Sequence, residues 1–191
     1  MKIGLFFGSF NPVHVGHLII ANYFATNTDL KEVWFVVSPQ NPFKEKATLL
    51  RDYDRLNLVN LAIEDNYALR ANNIEFSLPQ PSYTINTLMH IKEKYPANSF
   101  CLIMGSDNFI SLPKWKNADI ILRDYEIYVY QRRGSVVKHV PAGGRVNQFD
   151  FPLLDISSSQ IRKLIENNLS VKYMIPDKVL NYIVDMGLYK K

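Results

Sequence analysis

The sequence predicts an α/β fold in which a doubly wound, mostly parallel sheet carries helices on both faces. Short apolar runs of strand length alternate along the chain with segments of helical periodicity. The runs are continuous, and continuous apolar runs are typical of parallel strands that are covered on both faces. They span residues 2–7, 32–37, 99–104 and 126–130, with a less regular run at 68–77.

Three helical patterns lie between these strands. Apolar residues recur at three- and four-residue spacing in the segments 17–27, 51–66 and 84–95, so each segment is predicted to form an amphipathic helix. The glycine-containing stretch PAGGRVNQ, residues 141–148, lacks such a pattern and is predicted to be an exposed loop.

The last part of the chain changes character. Two helical patterns, at 156–168 and 171–189, follow one another without a strand between them. Because no linker or internal repeat separates them from the preceding residues, we expect one domain over residues 1–191. Its α/β sheet core would occupy residues 1–155, and the remainder would form a helical C-terminal tail packed on the same domain.

The composition is that of an ordinary globular protein of 191 residues, with 47% hydrophobic and 21% charged residues. The single cysteine, Cys101, lies in an apolar run, which excludes a disulfide framework and predicts a reducing, cytoplasmic location. The first apolar run is too short for a signal peptide or a membrane span. The net charge is +4, but the basic residues are scattered, so we expect neither nucleic acid nor a membrane as a partner.

The stretch GSFNPVHVGH, residues 8–17, places two of the four histidines at the end of the first predicted strand. Gly8 lets the backbone approach a phosphate closely, and His14 and His17 fall at the start of the next helix. Three interpretations compete. The histidines hydrogen-bond to loop carbonyls, they are two ligands of a metal site whose third ligand is not apparent, or they donate to a bound anion. The position at a helix start favours the anion.

A second candidate anion site is ISSSQIR, residues 156–162, which opens a predicted helix. Ser157 and Gln160 form a capping box, and that alone explains half of the pattern. Three consecutive hydroxyls followed by Arg162 supply more hydrogen-bond donors than a cap requires. The surplus predicts a phosphate cradle.

The stretch 8–17 resembles the signature of the nucleotidyltransferase superfamily, whose core reads H-x-G-H, and 156–162 resembles its I-S-S-T/S-x-I-R segment. The resemblance implies a Rossmann-like fold and an ATP site. It also implies that His14 and His17 contact the phosphates and stabilise charge on the α-phosphoryl group. The serines and Arg162 would grip the β- and γ-phosphates.

The stretch SPQNPFK, residues 38–44, is similar to a segment of bacterial nicotinate-nucleotide adenylyltransferases. The resemblance implies that Lys44 contacts a phosphate of the acceptor. Two positions depart from the family pattern, because Phe7 stands where glycine is usual and Phe43 where histidine is usual.

PSYTINTL (81–88) and MGSDNFISLPKW (104–115) are similar to two further segments of the same enzymes. The resemblance implies that Thr84 seats the pyridine carboxylate and that Trp115 stacks on the pyridine ring. Asp107 would bind ribose hydroxyls. Simpler roles stay open for these residues, because a tryptophan can anchor a lid and an aspartate can cap a helix.

The complete expected site has three parts. Catalytic contacts are expected from His14, His17, Lys44 and Arg162. The ATP site is expected to comprise Gly8, Ser9, Phe10, His14, His17, Gly105, Asp107, Arg132, Ile156, Ser157, Ser158, Ser159 and Arg162. The nicotinate mononucleotide site is expected to comprise Ser38, Lys44, Tyr83, Thr84, Trp115 and Lys116. No metal ligand is expected from the protein, and Mg²⁺ would be held by ATP and water.

The resemblance implies adenylyl transfer from ATP to nicotinate mononucleotide, giving deamido-NAD and pyrophosphate. A phosphate monoester has a second pKa of about 6, so the acceptor is already a nucleophile at neutral pH and needs no general base. Nicotinamide mononucleotide or phosphopantetheine stays open as the acceptor, although phosphopantetheine enzymes usually carry threonine where His14 stands. A non-catalytic nucleotide- or RNA-binding protein is the alternative from another class, and a homo-oligomer is left open.

Overall fold

A computed structural model describes residues 1–39, 49–141, 143–150 and 155–190 of the chain. Within them, six strands form one sheet. The strands are β1 (Lys2–Gly8), β2 (Glu32–Val37), β3 (Leu69–Asn72), β4 (Ser99–Gly105), β5 (Glu126–Tyr130) and β6 (Val146–Phe149). The α-helices are α1 (Val15–Asn27), α2 (Asp52–Ile63), α3 (Thr84–Lys94), α4 (Ser106–Ser111), α5 (Ala118–Asp124), α6 (Ser158–Glu166) and α7 (Asp177–Asp185).

The order of strands across the sheet is β3-β2-β1-β4-β5-β6, and every neighbouring pair is parallel. This confirms the predicted α/β class. The order reverses between β1 and β4, so the connections that leave these two strands run to opposite sides of the sheet. A crevice opens at the carboxyl ends of β1 and β4, where ligands bind in sheets of this kind.

Alternate residues of the strands face two different hydrophobic layers. In β2, Val33 and Phe35 pack with α1, α2, α6 and α7, whereas Trp34 and Val36 pack with α3, α4 and α5. The prediction of helices on both faces is therefore confirmed. Because both faces are buried, the central strands read as continuous apolar runs in the sequence.

Two regions differ from the sequence prediction. The stretch 141–148, predicted to be a loop, contains the start of β6, which pairs only with β5 at the edge of the sheet. Neither face of β6 is fully covered, so its four residues lack the apolar run that marked the other strands. The irregular run 68–77 divides into β3 and a 3₁₀ turn, Ile74–Ser77. Among the described residues, no helix combines the length and apolarity that crossing a bilayer requires.

Candidate functional site

The loop between β1 and α1 lies at the crevice, and aromatic packing shapes it. Phe10 is buried and has a positive φ of 44°. A Cβ on Gly8 would lie 2.7 Å from the Phe10 ring, so glycine is required here to admit the phenyl group. The sequence prediction assigned Gly8 to close approach of a phosphate, and the structure adds this packing requirement.

His14 and His17 stack on each other at the start of α1. Their ring centroids are 3.6 Å apart, with an angle of 26° between the planes. The backbone N–H of His14 donates to Nδ1 of His17 over 3.2 Å. Since Nδ1 accepts this hydrogen bond, the neutral His17 ring carries its proton on Nε2 and can donate from that atom.

His14 is buried, with 4% of its surface exposed, and its Nδ1 has no hydrogen-bond partner among the described residues. Burial lowers its pKa to about 4, and the nearby positive charge of Arg132 acts in the same direction. His14 is therefore neutral in the free protein at pH 7. A Cβ on Gly16 would lie 3.0 Å from His14 Nδ1, so Gly16 leaves the space that this ring occupies.

The low pKa of His14 makes the stability of the free protein depend on pH. As pH falls from about 6.5 to about 4, the unfolded chain binds a proton that the buried ring does not, so the folded state loses stability through this window. The full shift corresponds to about 3 kcal/mol. We therefore expect the free energy of unfolding, measured in urea, to fall less between pH 7 and pH 4.5 in His14→Asn than in wild type.

The matched control for this measurement is His139→Asn, because His139 is exposed. That variant should lose as much stability on acidification as wild type does. An equal loss in His14→Asn would contradict the assignment of this pH dependence to His14.

The start of α6 docks on the loop that precedes α1. Ser157 is the N-cap and accepts from the Gln160 N–H over 3.2 Å, which is one of the two hydrogen bonds of the predicted capping box. Ser158 Oγ donates to the carbonyl oxygen of Pro12 over 2.8 Å. Arg162 Nη1 donates to the carbonyl oxygen of Asn11, also over 2.8 Å. The two motifs, far apart in the sequence, therefore meet.

Both motifs line one cavity of about 400 Å³ at the ends of β1 and β4. All residues predicted for the ATP site line it except Asp107 and Ile156. Ile156 is partly buried and packs against the hydrophobic layer of α1 and α6 instead. The predicted residues in the wall are Gly8, Ser9, Phe10, His14, His17, Gly105, Arg132, Ser157, Ser158, Ser159 and Arg162.

Asp107 lies beside this cavity and faces Arg132. Arg132 Nη1 is 3.0 Å from Asp107 Oδ2, and the second carboxylate oxygen is buried without a hydrogen-bond partner among the described residues. No side-chain hydrogen bond caps α4, so the helix-cap role is not observed for Asp107. A Cβ on Gly105 would lie 2.5 Å from Asp107 Oδ1, so Gly105 is needed for this arrangement. The arginine next to Arg132 in the sequence, Arg133, forms an ion pair with Asp155 at the surface.

A second cavity, of about 450 Å³, adjoins the first. The two share Phe7, Gly8, Ser9 and Asn108 in their walls, so they lie side by side at the end of β1. The residues predicted for the nicotinate mononucleotide site line the second cavity, namely Ser38, Tyr83, Thr84, Trp115 and Lys116. The ammonium group of Lys116 lies 4.7 Å from the centre of the Tyr83 ring. Lys44 and Phe43 lie outside the described residues.

Arg55 was not predicted from the sequence, yet it is fully buried and binds the backbone of two residues that line the cavities. Its Nη1 donates to the carbonyl oxygens of Ser9 (2.6 Å) and Ser38 (2.8 Å). Its Nε donates to the carbonyl of Leu50 (3.1 Å), and its Nη2 pairs with Asp52 (2.6 Å). A signal was present, because Arg55 falls at helical spacing from the buried side of α2.

Glu75 was also missed. It is buried in the wall of the second cavity and accepts from the Thr87 hydroxyl over 2.6 Å. Burial raises the pKa of this carboxyl, whereas the hydroxyls of Thr87, Ser38 and Ser82 act in the opposite direction. Glu75 thus ties the 3₁₀ turn to α3 beside Thr84.

The chain is similar to known proteins both in sequence and in fold. Residues 5–164 match the cytidylyltransferase-like family. A curated protein of Flavobacterium psychrophilum, named "Probable nicotinate-nucleotide adenylyltransferase", is 50% identical over 193 residues and covers all of both chains. One of the same name from Cytophaga hutchinsonii is 50% identical over 189 residues, covering 99% of this chain and 98% of its own.

The fold is also shared with solved structures. A Plasmodium falciparum nicotinic acid mononucleotide adenylyltransferase, solved in complex with NaAD, superposes with a TM-score of 0.83. The superposition covers 98% of this chain and 97% of the other, at 21% sequence identity. At that identity the likeness establishes the fold.

Proposed function

The chain belongs to the cytidylyltransferase-like family and, within it, to the nicotinate-nucleotide adenylyltransferases, and on that premise we propose that it adenylylates nicotinate mononucleotide. ATP is the adenylyl donor, and the products are deamido-NAD and pyrophosphate, in a step of NAD biosynthesis. The observation that supports this most strongly is that two cavities share a wall, one lined by both predicted phosphate-binding motifs and the other by Tyr83, Thr84 and Trp115.

In the proposed reaction, a phosphate oxygen of the acceptor attacks the α-phosphorus of ATP. The bond between the α-phosphorus and the oxygen that bridges to the β-phosphorus breaks, and pyrophosphate leaves with that oxygen. The acceptor phosphate is mostly a dianion at neutral pH, so no side chain needs to remove a proton. The protein contributes by holding the two phosphates in line and by stabilising the negative charge that develops.

We assign the charge-stabilising role to His17 and Arg162. The Nε2–H of His17 is a neutral donor at the N-terminus of α1, and the macrodipole of that helix adds to its effect. Arg162 uses Nη1 to bind the loop and retains further N–H donors for the β- and γ-phosphates. His14 lines the same cavity and stacks on His17, and we keep it as a proposed contact of the phosphates. Lys44 is proposed as an acceptor-phosphate contact on the family resemblance alone.

We propose that Mg²⁺ enters with ATP and is coordinated by phosphate oxygens and water. The described residues contain no group of three or more histidine, cysteine or acidic side chains that could hold a metal ion. Mg²⁺ usually retains several waters and binds substrate phosphates, so we expect most of its ligands to come from the nucleotide and water. When bound, the ion would neutralise charge on the triphosphate.

The remaining expectations also stay proposals. We propose ATP and nicotinate mononucleotide as partners in a cytoplasmic setting. The only cysteine, Cys101, is buried and free, and burial raises the pKa of its thiol to about 12. An unreactive free thiol is compatible with a reducing compartment.

The decisive experiment measures pyrophosphate release from ATP with each of three acceptors. Nicotinate mononucleotide should give the largest kcat/KM, with nicotinamide mononucleotide below it and phosphopantetheine inactive. Preferential turnover of phosphopantetheine would replace the proposed acceptor. Absence of turnover with all three, alongside measurable ATP binding, would favour a non-catalytic nucleotide-binding protein.

Trp115→Ala should raise KM for nicotinate mononucleotide while leaving kcat close to wild type. Stacking of an indole on the pyridine ring stabilises the ground state and the transition state alike, so its loss affects binding. We expect an increase of about 5- to 20-fold, corresponding to a stacking contact of about 1–2 kcal/mol. Steady-state kinetics with each substrate varied in turn provides the measurement.

Trp115→Phe is the control for this effect, because it retains an aromatic plane and should keep most of the affinity. KM for ATP should be unchanged in both variants, since Trp115 lines only the second cavity. A fall in kcat without a change in acceptor KM would show that the stacking assignment is wrong.

A further inference from the structure

The side chain of Asn11 joins segments that are remote in the sequence. Asn11 is buried and lines the nucleotide cavity. Its Oδ1 accepts from the hydroxyl of Tyr189 over 2.8 Å and from the backbone N–H of Leu50 over 3.3 Å. Its carbonyl oxygen accepts from Arg162. Because both lone pairs of Oδ1 are used, the amide is fixed in one orientation.

The turn after α7 brings Tyr189 to this position. The Leu188 N–H donates to the Ile183 carbonyl over 2.9 Å, and the Gly187 N–H to the Val184 carbonyl over 3.1 Å. With Gly187 at a φ of 62°, this is the Schellman pattern that ends many helices. The chain therefore folds back from α7 towards the sheet, so that Leu188 and Tyr189 pack against the hydrophobic layer.

Tyr189 itself has an unusual backbone conformation. Its φ is 63°, a region that non-glycine residues occupy at an energetic cost. Burial raises the pKa of its phenol, while the positive charges of Arg162 and Arg55 act in the opposite direction. The hydroxyl is therefore protonated at neutral pH and acts as a donor to Asn11. Tyr189 is not among the residues that line the nucleotide cavity, and its hydroxyl reaches a residue that does, Asn11.

We propose that Tyr189 is a positioning residue for ATP, which holds Asn11 so that the loop 9–13 and Arg162 keep their places around the phosphates. The proposal rests on the function proposed above. The route has two hydrogen bonds, from Tyr189 to Oδ1 of Asn11 and from Arg162 to the carbonyl of Asn11. Loss of the first bond leaves Oδ1 of Asn11 accepting from the Leu50 N–H and weakens the hold on the loop whose carbonyl accepts from Arg162.

Tyr189→Phe tests this directly, because it removes the hydroxyl and keeps the ring that packs on the core. We expect KM for ATP, and Kd for a non-hydrolysable ATP analogue measured by calorimetry, to rise about 5- to 10-fold, which is the loss of about one hydrogen bond. KM for nicotinate mononucleotide should stay within about twofold of wild type. The matched control is Tyr173→Phe, because Tyr173 is exposed, and it should match wild type.

If the hydroxyl had only a structural role, its removal would lower the urea midpoint of unfolding. KM for ATP and Kd for the ATP analogue would then be unchanged in the folded protein. Kd for the ATP analogue within twofold of wild type, or an equal rise in both substrate KM values, would overturn the proposal. The double variant with Arg162→Lys adds a second test. If the fold-change in Kd of the double variant equals the product of the fold-changes of the two single variants, Tyr189 and Arg162 act independently. Tyr189 would then act by another route, and the proposal would be wrong.

The same measurements separate this inference from the proposed function. If wild type binds the ATP analogue but turns over none of the acceptors, the function proposed above fails. The calorimetric comparison of wild type with Tyr189→Phe still decides whether Tyr189 positions the nucleotide site.

Discussion

His17→Ala should lower kcat by about 10²- to 10³-fold while leaving the fold intact. Nε2 of His17 is a preorganised donor at the start of α1, and loss of one such donor to developing negative charge usually has an effect of this size. KM for ATP should change much less than kcat, because the interaction strengthens mainly in the transition state. Pyrophosphate release under saturating substrates provides the measurement.

Two variants control this result. His17→Gln keeps an amide donor of similar reach and should recover part of the lost rate. His139→Ala removes an exposed histidine and should retain wild-type kcat. Removing the His17 ring also removes the acceptor for the His14 N–H, so a stability loss of about 1 kcal/mol is expected in urea unfolding. A near-normal kcat in His17→Ala would exclude this residue from the mechanism.

Arg55→Ala should destabilise the protein by about 3–5 kcal/mol, because it removes a fully buried guanidinium on which several hydrogen bonds converge, and a polar group left without its partner costs about 1–3 kcal/mol. The substitution leaves the carbonyl oxygens of Ser9 and Ser38 and the carboxylate of Asp52 without a buried donor. It also releases the backbone that forms the shared wall of the two cavities, so kcat/KM for both substrates should fall. Urea unfolding at pH 7 measures the loss of stability.

The matched control is Arg51→Ala, because Arg51 is exposed at the start of α2 and four residues from Arg55. Its stability should lie within about 0.5 kcal/mol of wild type. Arg55→Lys keeps the charge but lacks the planar array of donors, so it should recover stability only in part. If Arg55→Ala unfolds at the same urea concentration as wild type, the buried network does not stabilise the fold as we infer.

The sequence was sufficient for most of the fold because the central strands are covered on both faces. The apolar runs at 32–37 and 126–130 coincide with the observed bounds of β2 and β5. The alternation of such runs with helical patterns predicted the parallel sheet. β6 was missed because an edge strand of four residues needs little apolar surface. α5, with seven residues, is too short for helical periodicity to be distinctive.

The site could be predicted only where short motifs carry the chemistry. The two phosphate motifs and Trp115 were recognisable from local sequence, and the structure brings them to adjoining cavities. The roles of Arg55 and Asn11 depend on hydrogen bonds to residues far along the chain, which no local pattern encodes. The protonation state of His14 follows from its burial, which only the folded arrangement reveals.

The wall that the two cavities share, formed by Phe7, Gly8, Ser9 and Asn108, has a consequence for product inhibition. If each cavity holds one substrate as proposed, the dinucleotide product keeps one half in each and occupies the places of both substrates at once. Neither substrate can enter until the product has left both halves. Deamido-NAD should therefore compete with ATP and with the mononucleotide alike, and accumulation of the dinucleotide would by itself slow its own synthesis.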